Sequence, residues 1–464
     1  MKCGLKFLPI AFWGLMTVVC LGGMALRPTW NDSDYYIQLV NMAAVGIKPH
    51  VDYPHIYTLL STWIMMPLKA FMGSCFSPTS MSVLVGLFYL AVARMVFSMA
   101  RKLQCPPVAC HAGAALTVFL GISSGHLQFT LEPWCVFFGT LSLWCVICGK
   151  PTLMWMASAG FFAASTFLCK QNGGIFLVAV PVCAWAFLPR ECRWRNLTAY
   201  GMAVVIAFVV YLFGTRLWLG DWSAVPTFFG RVPYSRSMNV AKGEAFGTLV
   251  KSVVWSAPVW LAIVLSGKSR WQEKLALLFG CLLLVPAVIV SPGDHNRYFV
   301  APFLGLLLGV GVRDRFNRWV VVLMGLYLAE VALRGFLYFQ EPIANLCDHG
   351  SIYSRDDLEL VSCLRKCVKA GDRLLVVPKD GGASVARFYV LTDAVPATLE
   401  VRHQENLGWG TEFMYGDDEL LQRSIGSATV FAVHRQSTFD RCAAAVSANC
   451  RKIAQLPNWE VFAR

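Results

Sequence analysis

Apolar stretches of about 17–25 residues recur from near residue 7 to near residue 338, and they restrict the fold more than any other feature of the chain. That length is what a helix needs to cross the hydrocarbon core of a bilayer. Backbone in lipid has no water to bond, so a spanning segment must satisfy its own N–H and C=O groups and is helical. A barrel would instead read as short alternating strands, and none stands out. The candidate spans are residues 7–26, 81–100, 107–123, 128–148, 152–168, 172–188, 197–219, 249–267, 272–291, 298–313 and 318–338. Composition agrees. Hydrophobic residues make up 56% and charged residues 14%, against about 25% charged in soluble domains. The expectation is a polytopic all-α membrane protein with about 11 transmembrane helices.

The net charge of +13 raises nucleic-acid binding as a function class. The distribution of the charge argues against it, because the basic residues cluster in short connections between spans. Arg101 and Lys102 close the second span, and Lys150 lies between the fourth and fifth. Arg190, Arg193 and Arg195 separate the sixth and seventh; Lys268, Arg270 and Lys274 the eighth and ninth; Arg313, Arg315 and Arg318 the tenth and eleventh. A cytoplasmic N-terminus puts all five clusters on the cytoplasmic side, as the positive-inside rule requires. The N-terminus carries Lys2 and Lys6 before an apolar run from Leu8 to Met24. The run is long for a signal peptide and no small-x-small cleavage site follows, so it reads as a retained first span. Most of the 17 Cys fall in or beside spans, where Cys acts as a small hydrophobe.

Residues 27–80, 124–127, 169–171, 220–248, 292–297 and everything beyond about 339 then face outside. In the first of these segments, apolar residues at 36, 39, 40 and 43 mark one face of a helix. Gly46 and Pro49 stop it. The expectation is a short amphipathic helix lying along the outer interface. Asp52, Pro54 and His55 follow, then a second interfacial segment from Ile56 to Phe71. Asp32, Ser33 or Asp34 fits a helix cap, since carboxylates satisfy free N–H groups there. A carboxylate held at the membrane surface fits a general base equally well.

The stretch from Asp32 to Gly73 resembles the first outer loop of the C-type, polyprenyl-phosphate-sugar-dependent glycosyltransferases. It is similar to the protein mannosyltransferase, aminoarabinose transferase and RgtA-like branches. The residues that carry the resemblance are Asp32-Ser33, Tyr36, Gly46, Pro49, Asp52, Pro54-His55 and Tyr57. The resemblance implies that Asp32 is the catalytic base and that Asp52 is the second acidic position. Tyr53-Pro54-His55 stands where Lys-Pro or Pro-Pro often follows the second Asp, so the donor contacts of that turn do not carry over. Asp34 and His55 are candidates for acceptor contact or support.

Other outer segments add candidates. Glu132, in Glu132-Pro133-Trp134, suits the positive end of a helix and resembles an acidic residue that the family places there. Lys170-Gln171-Asn172-Gly173-Gly174 is a tight turn whose Asn and Gly serve its backbone. Its Lys resembles the family's Lys-containing turn, where it would meet a lipid phosphate; reaching to the interface is the competing account. His295 and Arg297, in Asp294-His295-Asn296-Arg297-Tyr298, resemble the family's outer His/Arg-Tyr segment and suit phosphate, with interfacial anchoring as the alternative. Arg231, Tyr234, Arg236 and Lys242 suit an anionic lipid head or acceptor.

Beyond residue 339 charges become frequent and no span recurs. A helix at Asp356–Lys369, strands at Arg373–Val377, Arg387–Leu391 and Thr429–His434, and a helix near Thr438–Ala448 predict a small α/β or α+β extracytoplasmic domain over 340–464. Cys363 and Cys367 share a helix face, Cys442 and Cys450 follow, and disulfides among the four fit an oxidising compartment with their pairing open. Residues 1–339 form the membrane domain.

The resemblance implies an inverting transferase with a polyprenyl-phosphate-linked sugar as donor and a glycan, lipid or protein hydroxyl as acceptor. It requires no cofactor, although Asp32 and Asp52 would suit a divalent metal. The location expected is the bacterial inner membrane, with the site outside. The rival class is a lipid or solute transporter or flippase, which places ionisable groups near the midplane. Here Glu330 is the main acid inside a span, and the polar clusters gather at one face.

Overall fold

The structure, a computed structural model, describes residues 4–25, 31–49, 51, 58–123, 130–225, 271–283, 298–314, 339–351, 353–369, 371–379, 386–397, 425–437 and 439–464, together with isolated helical positions between 246 and 337. The chain begins with α1 (Gly4–Thr17), a π-helical turn (Val18–Gly22) and α2 (Gly23–Ala25). Then come α3 (Asn31–Ala44), α4 (Leu60–Met72), α5 (Pro78–Lys102), α6 (Pro107–Ser123) and α7 (Leu131–Cys148). α8 (Leu153–Cys169), α9 (Ile175–Phe187), α10 (Arg193–Leu219), α11 (Trp271–Leu282) and α12 (Ala301–Asp314) complete the apolar bundle. Among the described residues, α5, α7 and the stretch containing α10 are long and apolar enough to cross a membrane. Five further apolar helices are shorter. The predicted span 249–267 lies outside the described residues but for two helical positions, and 318–338 is described only at scattered helical ones.

Within the bundle α8 packs between α7 and α10, and α6 between α5 and α12, while α9 packs against α11. Lipid gives apolar helices no hydrophobic reason to associate, so close fit and polar ties decide. Gly113 of α6 and Gly305 of α12 illustrate the fit: a Cβ on Gly113 would collide with the Gly305 carbonyl. The Thr117 hydroxyl lies beside the same junction, 2.9 Å from the Gly113 carbonyl and 3.4 Å from that of Ala301. Trp144 Nε1 donates to Ser98 Oγ at 2.8 Å, joining α7 to α5. Ser142 Oγ donates to the Ala159 carbonyl at 2.6 Å, joining α7 to α8. Such ties contribute about 0.6 kcal/mol each in membrane proteins.

The C-terminal part holds α13 (Gln340–His349), α14 (Arg355–Cys367), β1 (Arg373–Val377), α15 (Ala386–Thr392), β2 (Val395–Pro396), β3 (Val430–His434), α16 (Asp440–Asn449), β4 (Arg451–Gln455) and β5 (Trp459–Ala463). The five strands form one sheet in the order β2-β1-β3-β5-β4. β1 runs parallel to β2 and β3, and β5 runs antiparallel to β3 and β4. The expected strand at Arg387–Leu391 is helix α15 instead. The reason is topological: β1 and β2 are parallel neighbours, and a parallel pair needs a crossover, usually helical. Leu374, Val376, Val430 and Ala432 belong to the same apolar core as Leu360 and Leu364 of α14 and Phe388 of α15. Leu375, Val377, Phe431 and Val433 face the other way, onto Cys442 and Val446 of α16. Cys363 and Cys367 sit side by side on α14, and the cysteines among the described residues are free thiols.

α3 departs from its expected setting. An interfacial amphipathic helix keeps one face in water. Here Tyr36, Ile37, Gln38, Leu39, Val40, Met42 and Ala43 are all buried. α4, α5 and α15 pack around the helix, so the C-terminal domain covers the side that the sequence leaves for solvent.

Candidate active site

The charged centre of the described structure is an ion pair between Lys170 Nζ and Glu132 Oε1. The two side chains are only 8% and 5% exposed. Lys170 is the residue that ends α8, and its N–H donates to the Thr166 carbonyl at 3.1 Å. Glu132 stands in the first turn of α7, where a carboxylate also meets free backbone N–H groups. The pair therefore joins the end of α8 to the start of α7. Lys170 turns inward to a buried carboxylate rather than reaching for the interface. Removing either partner would take from a buried charge the counter-charge it meets here, which is destabilising in a low-dielectric interior.

The turn that carries Lys170 is tightly held. Thr166 Oγ1 lies 2.8 Å from the Gly173 carbonyl and 2.6 Å from that of Ala163. Gly173 N–H donates to the Lys170 carbonyl at 2.8 Å. A Cβ on Gly173 would come within 2.6 Å of the Thr166 carbonyl oxygen, so the close turn needs glycine.

The segment between α2 and α5 reaches the same end of the bundle. Thr58 Oγ1 donates to the Phe167 carbonyl at 3.2 Å, three residues before Lys170. The Leu59 N–H donates to Tyr211 Oη of α10 at 2.8 Å. Trp63 packs on Tyr211 and Trp218, with ring centroids 5.2 and 6.3 Å apart. α12 joins from the other side: Phe303 stacks on Phe176, six residues after Lys170, at 5.6 Å. Tyr298, just ahead of α12, is buried against Tyr89 at 5.0 Å.

Of the residues singled out in the sequence, the structure brings Glu132 and Lys170 together. Asp32 and Asp34 lie in the first turn of α3 by backbone, and their side chains lie outside the described residues. Asp52, His55, His295 and Arg297 also lie outside them, as do Arg231, Tyr234, Arg236 and Lys242. The chain resumes after Asp52 and His55 at Thr58, and after His295 and Arg297 at Tyr298. Among the described residues no group of three or more His, Cys, Asp or Glu gathers to hold a metal. Reading the sequence missed Thr58, Trp63, Tyr211 and Thr166. Each is an ordinary loop or span residue by pattern, and its contact partner lies far along the chain or in backbone.

No protein-family model and no curated protein matches the sequence. Solved structures do. ArnT from Cupriavidus metallidurans, bound to undecaprenyl phosphate, matches with a TM-score of 0.66 at 13% identity over 98% of this chain and 97% of that one. The fold is that of the C-type glycosyltransferases. The archaeal oligosaccharyltransferase AglB from Archaeoglobus fulgidus, in complex with an inhibitory peptide and a dolichol-phosphate, matches at a TM-score of 0.55. Its identity is 11%, over 92% of this chain and 69% of that chain. The mycobacterial arabinofuranosyltransferase AftD matches at 0.54 and 12% identity, over 98% of this chain and 41% of its own. The C-type fold thus extends over the bundle and the C-terminal sheet together, and the Lys170–Glu132 pair lies at the end of the bundle where α3 and α4 attach.

Proposed function

We propose that the protein is a membrane glycosyltransferase that moves a sugar from a polyprenyl-phosphate donor to an acceptor hydroxyl at the outer membrane face, with inversion. The observation that carries this reading is the C-type fold over 98% of the chain, shared with a protein bound to undecaprenyl phosphate. Residues 1–339 form the catalytic membrane domain, and 340–464 form the extracytoplasmic one. A bacterial inner membrane, with the N-terminus cytoplasmic, suits the arrangement of basic clusters.

In this mechanism the Asp32 carboxylate takes the proton from the acceptor hydroxyl as its oxygen attacks the anomeric carbon. The bond between that carbon and the phosphate oxygen breaks on the opposite face, and the phosphate stays on the lipid. Asp52 orients the acceptor. Lys170 meets the departing phosphate, helped by His295 and Arg297. Because Glu132 pairs with it, Lys170 acts as an oriented donor more than as a full unit charge, and orientation is what preorganised stabilisation needs. Asp34, His55 and Glu132 support these groups. A divalent metal, if bound, would sit on the carboxylates of Asp32 and Asp52, both hard oxygen ligands, and would supply added charge stabilisation.

The test is to incubate purified protein with radiolabelled polyprenyl-phosphate sugars and an acceptor extract. Transfer is expected from the parent, and the Asp32→Asn variant should be folded and inactive. Full activity in that variant would remove the base assignment. Movement of label across vesicles without product would move the protein to the transporter class.

A further inference from the structure

The burial of Tyr36–Val40, Met42 and Ala43 of α3 requires something to hold α15 against the helix. α15 has seven residues, too few to be stable alone. It is pinned at three points to the rest of the C-terminal domain. Arg387 Nη1 at its start is 2.6 Å from Asp357 Oδ2 of α14. In its middle, Tyr389 Oη accepts the Val376 N–H of β1 at 3.1 Å. Near its end, Arg365 of α14 donates through Nε and Nη2 to the Leu391 carbonyl, at 3.0 and 2.7 Å. α14 and β1 therefore fix α15, and α15 in turn closes over α3.

A polar tie joins α3 to α4 as well. Lys69 of α4 donates to Asn41 Oδ1 of α3. Asn41 Nδ2 donates to Gln38 Oε1 at 3.4 Å, and Gln38 is 2% exposed. Asp393 closes α15 in a turn with φ of 54°, a conformation that Asp and Asn adopt more readily than other side chains. Burial pushes the Lys69 ammonium below its ordinary range, and the Asp393 charge opposes that shift. The Lys69 ammonium also lies 5.8 Å from the Phe76 ring centroid.

We infer that the C-terminal domain, together with α4, is a positioning element for the transferase site: α15 packs on α3, and Lys69 of α4 holds Asn41 of the same helix. The inference rests on Asp32 as the base. Asp32 and Asn41 lie on one helix, about 13 Å apart along its axis. A tilt of about 10° at the Asn41 end would move the Asp32 end by about 2 Å. Misplacement of a reacting group by about 1 Å can cost a hundredfold in rate. Lys69, Asn41 and Arg365 are thus positioning residues that act through α3.

The full chain in lipid nanodiscs tests this by two readouts, hydrogen exchange in α3 and steady-state kinetics with the lipid-linked donor. In Lys69→Met, amides 36–43 should exchange at least about tenfold faster. The same variant should lose about tenfold in kcat, with KM for the donor unchanged. Lys69→Arg should restore both readouts to within about threefold, since it keeps a charged donor. Arg365→Gln releases the end of α15 without touching α3, and it too should speed α3 exchange. Unchanged α3 exchange in Arg365→Gln would overturn the inference for the C-terminal domain, and failure of Lys69→Arg to rescue would overturn it for α4. If the parent transfers no sugar, the reading of Asp32 fails, and α3 exchange alone decides whether the domain holds the helix.

Discussion

At the scale of single residues, Lys170 and Glu132 separate stability from function. Glu132→Gln or Lys170→Met should each lower thermal stability, because one buried charge loses the counter-charge it meets in this pair. The double variant, with no buried charge left, should recover much of that loss in thermal unfolding. Donor kinetics should stay impaired in the double variant if Lys170 meets the phosphate. Recovery of both would leave the pair a purely structural tie. The candidacy of both residues was legible in the sequence, since a Lys is not needed for a turn. Their partnership was not, because 38 residues of chain separate them and only the antiparallel packing of α7 and α8 closes the gap. Cys363 offers a second residue-scale expectation. Burial, and then the neighbouring Cys367 thiol, push it up to about 11. The thiolate is the reactive form, so alkylation of Cys363 should still climb between pH 9 and pH 10, where an ordinary thiol of pKa about 8.5 has nearly levelled. A rate already flat at pH 9.5 would contradict that environment.

At the scale of elements, the link between the start of α4 and α10 is open to test. Tyr211→Phe keeps the ring packing on Trp63 but removes the acceptor for the Leu59 N–H. An unsatisfied buried donor costs about 1–3 kcal/mol. Exchange at the Leu59 amide should therefore rise, while the far ends of α8 and α10 stay protected. Unchanged exchange would mean that packing alone holds the segment. The helices themselves were readable because each apolar run fits one bilayer crossing. α5, α6, α7 and α8 fall within three residues of the predicted bounds. α15 was misread as a strand: seven residues are too few to tell a period of 2 from one of 3.6, and the parallel pairing of β1 with β2 decided it. β4 and β5 escaped notice because β4 carries exposed polar residues among apolar ones, with no clean alternation.

At the scale of the whole molecule, the C-terminal domain is more than an appendage to the helices. Its core is continuous with that of the bundle, from Leu360 and Trp459 to Val40 and Tyr89. A clean separation of two units at residue 339 would leave α3 uncovered on one side. The sequence by itself determined the apolar runs that suit a bilayer, the helical class of the bundle and the clustering of basic residues between the runs. These depend on counts and periods along the chain, and each apolar run carries its own share of that information. Tertiary structure alone decided that Lys170 meets Glu132, that Thr58 reaches the end of α8, and that α3 is roofed by α15. Those contacts form between segments tens to hundreds of residues apart, where the choice of partner depends on how helices pack and not on any local pattern.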